Sequence, residues 1–200
     1  MNPGIKARLA LLKHRVKSDV SGLAAIEFAL IAPLLLAMLM GVVEISRAIS
    51  MNRKFSTVTS TIADLVTRQN DIKATDVATM NQIVASIMMP YGADELSYAI
   101  IPVRASLTNA ADVRVYACSA ARPPYHGANQ YSRNQTYEIP QNMLTAASTM
   151  IVVEAYYQYV PLFLNGLMQP IEWSDKAYRN PRQGCISFND NSCNLTPTCS

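Results

Sequence analysis

Four kinds of side chain in this sequence could do chemistry: a carboxylate alone in apolar sequence, two histidines, four cysteines and a cluster of tyrosines. The carboxylate is Glu27, the single charge in Gly22–Val43 (GLAAIEFALIAPLLLAMLMGVV). An ionised Glu near the middle of a membrane helix costs on the order of 3 kcal/mol, so a chain that keeps one has a use for it unless headgroup water reaches it. The histidines are His14, among basic residues, and His126, in a polar stretch between Tyr125 and Gly127. His126 could serve as a base, but a loop histidine is more often simply solvated. Most of the later acids (Glu95, Asp112, Glu138, Glu154, Glu172, Asp175, Asp190) are scattered, and no spacing singles out a pair for general acid–base work. No GxSxG, P-loop, GxGxxG or HExxH run occurs. These residues point away from an enzyme, and no cofactor or small-molecule substrate is expected.

The cysteines are Cys118, Cys185, Cys193 and Cys199. Three fall in a Pro-, Asn- and Ser-rich tail with little apolar material to hold it, where a disulfide staple makes physical sense in an oxidising compartment. Four cysteines allow three complete pairings, and the sequence does not choose among them. Zinc is the weaker reading, because the gaps are not of the CxxC type and no histidine is near. No metal is expected. Tyr156, Tyr157 and Tyr159 could stack ligands; more simply, they are what a half-buried strand is made of.

The element that must position Glu27 is a helix. At 1.5 Å per residue, about 20 residues cross a hydrocarbon core roughly 30 Å thick, and Gly22–Val43 is long enough. Before it stand Lys6, Arg8, Lys13, Arg15 and Lys17 against the one acid Asp19, which predicts a cytoplasmic N-terminus and an exported C-terminal side. Taking that leader's five and one from the totals of 17 basic and 14 acidic residues leaves 12 and 13. The positive net charge is thus a topology signal, and no basic stripe calls for nucleic acid. A cleaved signal peptide is the main competitor, but its apolar stretch is usually 7–15 residues. Phe28–Val43 is longer, and the residues beyond Val43 read as helix.

Past the membrane, Ala48, Met51, Phe55, Val58, Ile62 and Leu65 recur at helical spacing, so one helix of about 45–50 residues is expected, its second half exported. Pro33 removes a backbone donor and is expected to kink it near Ala29 and Leu30. Asn70-Asp71 reads as a break. Thr75 or Asp76 can cap a second helix that carries Val77, Met80, Ile83, Val84 and Ile87 on one face and ends at Pro90. Strands are expected at Leu96–Val103, with Pro102 arguing for an edge or a bulge, at Val113–Cys118, at Met150–Val160 and at Ile171–Tyr178. Arg122–Asn134 reads as loop. Helices first and strands after them give an α+β fold, a small antiparallel sheet against the long helix. The divisions are a basic cytoplasmic leader (1–22), a transmembrane helix (23–43), its exported extension (44–69), an α+β domain (70–182) and a cysteine-containing tail (183–200).

Glu27 and its surroundings resemble the processing site of type IV pilin-like proteins. They look most like the TadE family of the tight-adherence (Tad/Flp) pilus system. The residues that carry the resemblance are Ile26-Glu27-Phe28-Ala29-Leu30-Ile31-Ala32-Pro33 and Gly41-Val42-Val43-Glu44. Supporting blocks are Ala63–Val66, Met89-Pro90-Tyr91, Val153–Pro161 and Tyr178–Arg182. Departures are Asn180, where related sequences run Arg-Pro-Arg, and the cysteine-rich tail.

The resemblance implies a pilin-like fold and cleavage between Gly22 and Leu23 by a prepilin-type aspartic peptidase. Glu27 of one subunit would then pair with the new amine at Leu23 of a neighbour, with Phe28 beside it as part of the recognition motif. Ala25, Ala29, Ala37 and Gly41, at four-residue spacing, would let helices approach closely. The expected function is that of a non-enzymatic pilin-like subunit or assembly factor. Its partners are the inner membrane, the peptidase and other pilin-like or Tad assembly proteins, and its domain lies in the periplasm. The alternative is an uncleaved, membrane-anchored periplasmic binding or adhesion domain.

Overall fold

A computed structural model describes residues 21–117, 120–122, 131–140, 142–163, 165–166, 169–182 and 186–189. The four cysteines, both histidines and the basic leader lie outside the described residues. The chain divides into two units, residues 1–46 and 47–200. One helix, α1 (Ser21–Thr67), passes through the division, and it continues through Pro33.

In the first unit the described part of α1 is exposed along almost its whole length, large apolar side chains included. In the second unit α1 becomes a core helix. Met51, Phe55, Val58 and Ile62 are buried as the spacing predicts, Ala48 and Leu65 are half-buried, and Thr59, Ala63 and Val66 join the buried face. That face drifts because 3.6 residues per turn outruns a strict heptad by about 20° each repeat. In the Ser- and Thr-rich stretch the hydroxyls bond back one turn, and packing of the buried face keeps the stretch helical. Thr57 donates to the Arg53 carbonyl at 2.9 Å, Thr59 to Phe55 at 3.2 Å and Thr61 to Thr57 at 2.7 Å.

After α1 come β1 (Asp71–Lys73) and α2 (Ala74–Met88). Asp76 does serve the start of α2, but from its third position and not as the N-cap. Its Oδ2 accepts from the Lys73 backbone N–H at 2.9 Å. The remaining strands are β2 (Leu96–Ala105), β3 (Val113–Val115), β4 (Ala120–Arg122), β5 (Thr149–Tyr159), β6 (Ile171–Arg179) and β7 (Ser187–Asn189). The main sheet is antiparallel, with β2, β5 and β6 side by side and β3 and β4 sharing the outer edge of β2. The fold is α+β, as expected.

Pro102 departs from expectation, since β2 is an inner strand. The missing donor is accommodated because β4 covers Tyr98–Ile100 and β3 covers Val103–Ala105, so Pro102 falls in the gap between them. The strand expected at Val113–Cys118 stops at Val115. The short strands β1, β4 and β7 have no counterpart in the sequence reading. β1 and β7 pair in parallel, Asp71 with Ser187 through Lys73 with Asn189.

Both faces of the sheet are covered. Leu96, Tyr98, Ile100, Ile151, Val153 and Ala155 face the core formed with α1 and α2. Ala99, Ile101, Val103, Met150 and Val152 face a second core closed by Tyr137, with Tyr131, Ile139 and Leu144 at its margin.

Candidate functional site

The apolar half of α1 carries the residues that sequence reasoning selected. Gly22, Leu23, Ala25, Glu27, Phe28, Ala29 and Ala37 are all exposed, and Gly41 is half-exposed. Leu23 and Phe28 present 58% and 68% of their surface, far more than a soluble helix leaves bare without a partner. None of the most apolar window of this helix is buried. It is the one helix among the described residues that is long and apolar enough to cross a membrane.

Helical geometry sorts these residues into two faces. At about 100° per residue, Leu23, Ala37 and Gly41 fall within roughly 80° of Glu27. Ala25 and Ala29 fall roughly 160° away, on the opposite side. Four-residue spacing thus does not make one straight stripe; it winds about 40° round the helix per step. Leu23 and Glu27 stand one turn apart, about 6 Å along the axis. A Cβ added at Gly22 or Gly41 would meet nothing within 4 Å, so the chain's own packing does not require glycine at either position.

Residues 22–64 match the family model described as TadE-like protein. This segment is TadE-like. The match takes in Glu27, Phe28, all four small residues and α1 to within three residues of its end. The later blocks from Met89, Val153 and Tyr178 lie outside it. No curated protein and no solved structure matches the chain.

The second unit holds a polar site that sequence reasoning missed. Glu154, on the strand β5, is 1% exposed, and Lys176 on the neighbouring strand β6 brings its Nζ to 2.6 Å from Oε1. Tyr137 donates to Oε1 at 2.7 Å, Tyr131 to Oε2 at 3.1 Å and Tyr156 to Oε2 at 3.4 Å. The Tyr131 and Tyr137 rings meet edge to face at 5.2 Å, and Lys176 lies 5.8 Å from the Tyr137 centroid.

One buried carboxylate is thus satisfied by three phenols and an ammonium, as a buried charge must be. Burial, then the hydrogen bond and charge of Glu154, pushes the Tyr137 phenol well above its ordinary value. For Lys176, burial acts downward, but the hydrogen bond and charge of Glu154 outweigh it and the net shift is upward. The available signal was a single acid directly after the apolar run Met150–Val153, on the face it shares with Val152 and Tyr156. The arrangement saturates the acceptors of the carboxylate, which suits holding residues 131–137 on the sheet. Among the described residues no His, Cys, Asp and Glu are grouped to hold a metal.

Proposed function

We propose that this protein is a pilin-like subunit or assembly factor of a Tad/Flp-type pilus, acting through its N-terminal helix and not through catalysis. The observation that carries the reading is the coincidence of the TadE-like match with an exposed apolar helix holding a single carboxylate. In this reading α1 crosses the inner membrane once, with the basic leader in the cytoplasm and the α+β unit in the periplasm. A prepilin-type peptidase cuts between Gly22 and Leu23 and frees an amine one turn from Glu27. In a bundle of such helices, Glu27 of one chain meets the Leu23 amine of the next. In low dielectric an unpaired charge is costly, so the pair selects one register over others and adds little net stability.

The two faces of small residues support this. Ala37 and Gly41 lie on the side of Glu27, Ala25 and Ala29 on the opposite side, so one helix can receive close neighbours on both. Open space around Gly41 fits a glycine that serves contact with another chain. The four cysteines, in an oxidising periplasm, are proposed to form disulfides within the tail and to Cys118.

The test is the mass of the native protein together with the variant Glu27→Ala. The expected N-terminus is Leu23, and Glu27→Ala is expected to insert in the membrane normally while losing at least tenfold in pilus assembly. An N-terminus at Met1 would favour the uncleaved anchor. Normal piliation in Glu27→Ala would remove the pairing.

A further inference from the structure

The connection between β5 and β6 is apolar where a hairpin tip is usually polar. From Val160 to Pro170 the sequence reads VPLFLNGLMQP, without a charge. Val160 is 40% exposed, Leu162 56%, Phe163 46% and Ile171 40%. At the end of α2, Met89 is 67% exposed.

All of these lie at one end of the second unit, and contacts within that unit say which. Tyr157, near the end of β5, packs on Phe55 with ring centroids 6.1 Å apart, and its hydroxyl donates to the Gly92 carbonyl at 3.3 Å. Arg47 lies 5.7 Å from the centroid of Tyr91. At the other end, the Arg182 backbone N–H donates to the Thr67 carbonyl at 3.2 Å, and the Arg182 guanidinium lies 3.8 Å from Asp64. β6 therefore runs alongside α1 in the same direction. Its first residues, and the tip that precedes them, are at the Arg47 end, from which the chain leads back to the apolar run.

Behind the tip stands an aromatic layer. Trp173 stacks on Tyr159 at 4.9 Å and on Tyr157 at 6.0 Å. Tyr and Trp gather where a protein meets the headgroup region. The charges at this level balance: Arg47, Arg53 and Lys54 are opposed by Asp94, Glu95 and Glu172. A surface of this kind is held by apolar burial and not by attraction to anionic lipid.

We infer that Val160, Leu162, Phe163 and Ile171, with Met89 beside them, form a bilayer-docking surface that seats the α+β unit on lipid headgroups. The inference rests on the reading that α1 spans a bilayer. Its ligand is a zwitterionic phospholipid interface, entered to the depth of the glycerol and first acyl carbons.

The sole tryptophan, Trp173, is a built-in reporter. The full chain is reconstituted in phosphatidylcholine vesicles whose acyl chains carry bromine at a shallow or a deep position, and its emission is read. Shallow bromine is expected to quench Trp173 at least twofold more than deep bromine, without any anionic lipid. Leu162→Asp with Phe163→Asp is expected to abolish that quenching while the chain still floats with the vesicles. Met89→Asp, on a different element, is expected to reduce it. Leu107→Asp, 71% exposed beyond the opposite end of β2, is expected to leave it unchanged.

A chain that does not float with vesicles would remove the membrane span itself. A chain that floats with Trp173 unquenched would keep the span and overturn the docking surface, leaving the tip as a contact for another protein. Equal quenching in the tip variant would overturn it as well.

Discussion

Glu154 is a charge that the fold buries and then satisfies completely, and the balance of that arrangement can be measured one side chain at a time. Glu154 is 1% exposed whereas the Lys176 side chain is 46% exposed, so the two partners are not equivalent. Lys176→Met strands a carboxylate in the interior with only phenols to hold it. Breaking a buried pair from one side costs about 3–5 kcal/mol, and the half-exposed partner places this case near the lower figure. Glu154→Gln keeps one acceptor oxygen for the tyrosines and lets Lys176 turn to water, at about 1–2 kcal/mol. Urea midpoints of the full chain in detergent should therefore fall further for Lys176→Met than for Glu154→Gln. A larger loss in Glu154→Gln would mean that the tyrosines, and not the ammonium, hold the site together.

At the scale of elements, α1 is two helices by environment and one by backbone. Phe55 is 1% exposed against Tyr157, whereas Leu30, in the apolar half, is 74% exposed. Phe55→Ala should cost the α+β unit about 3–5 kcal/mol. Leu30→Ala should leave that unit within about 0.5 kcal/mol of the parent. The thermal transition of Trp173 emission separates them, since Trp173 stacks on the same Tyr157 that covers Phe55. Equal shifts would mean that the two halves melt as one unit.

Both halves of α1 were legible because helical periodicity is local: Met51, Phe55, Val58 and Ile62 announce their face within four turns. The β5–β6 pair was legible for the same reason, through Met150–Val160 and Ile171–Tyr178. What was not legible depends on residues far apart in the chain. β1 and β7 are three residues each, and their pairing joins Asp71 to Ser187. Glu154 meets Lys176, Tyr131 and Tyr137 only once the sheet register is set. Pro102 could be read as a missing donor but not as one absorbed between two short edge strands. The helix faces that carry Glu27 and its neighbours were legible because these residues lie within one turn or a few, where spacing alone fixes the face.

For the whole molecule, the groups with displaced pKa values in the α+β unit act in one direction. Burial pushes the Tyr116 phenol up to about 12, although its hydrogen bond to the Ile186 carbonyl and the charge of Arg104 pull the other way. Tyr98, Tyr137, Tyr156 and Tyr157 are raised as well, burial leading in each, and Lys176 is raised by Glu154 against its burial. A raised folded-state pKa means that the folded chain keeps its proton where the unfolded chain has lost it. Stability from these groups is complete below the unfolded values near 10 and is lost as pH rises through the folded ones.

One phenol held like Tyr116 accounts for about 1.4 kcal/mol of that loss per pH unit. The α+β unit should therefore hold its thermal midpoint up to about pH 9 and lose it steeply between about pH 10 and 12. Ionisation of Tyr98, Tyr116, Tyr137, Tyr156 and Tyr157 should appear together with unfolding and not ahead of it. Tyr137→Phe keeps the ring and removes a titrating group, so its stability curve should be shallower across that interval. A wild-type midpoint that does not fall above about pH 10, or ionisation of these five phenols in the folded chain, would mean that they are open to water.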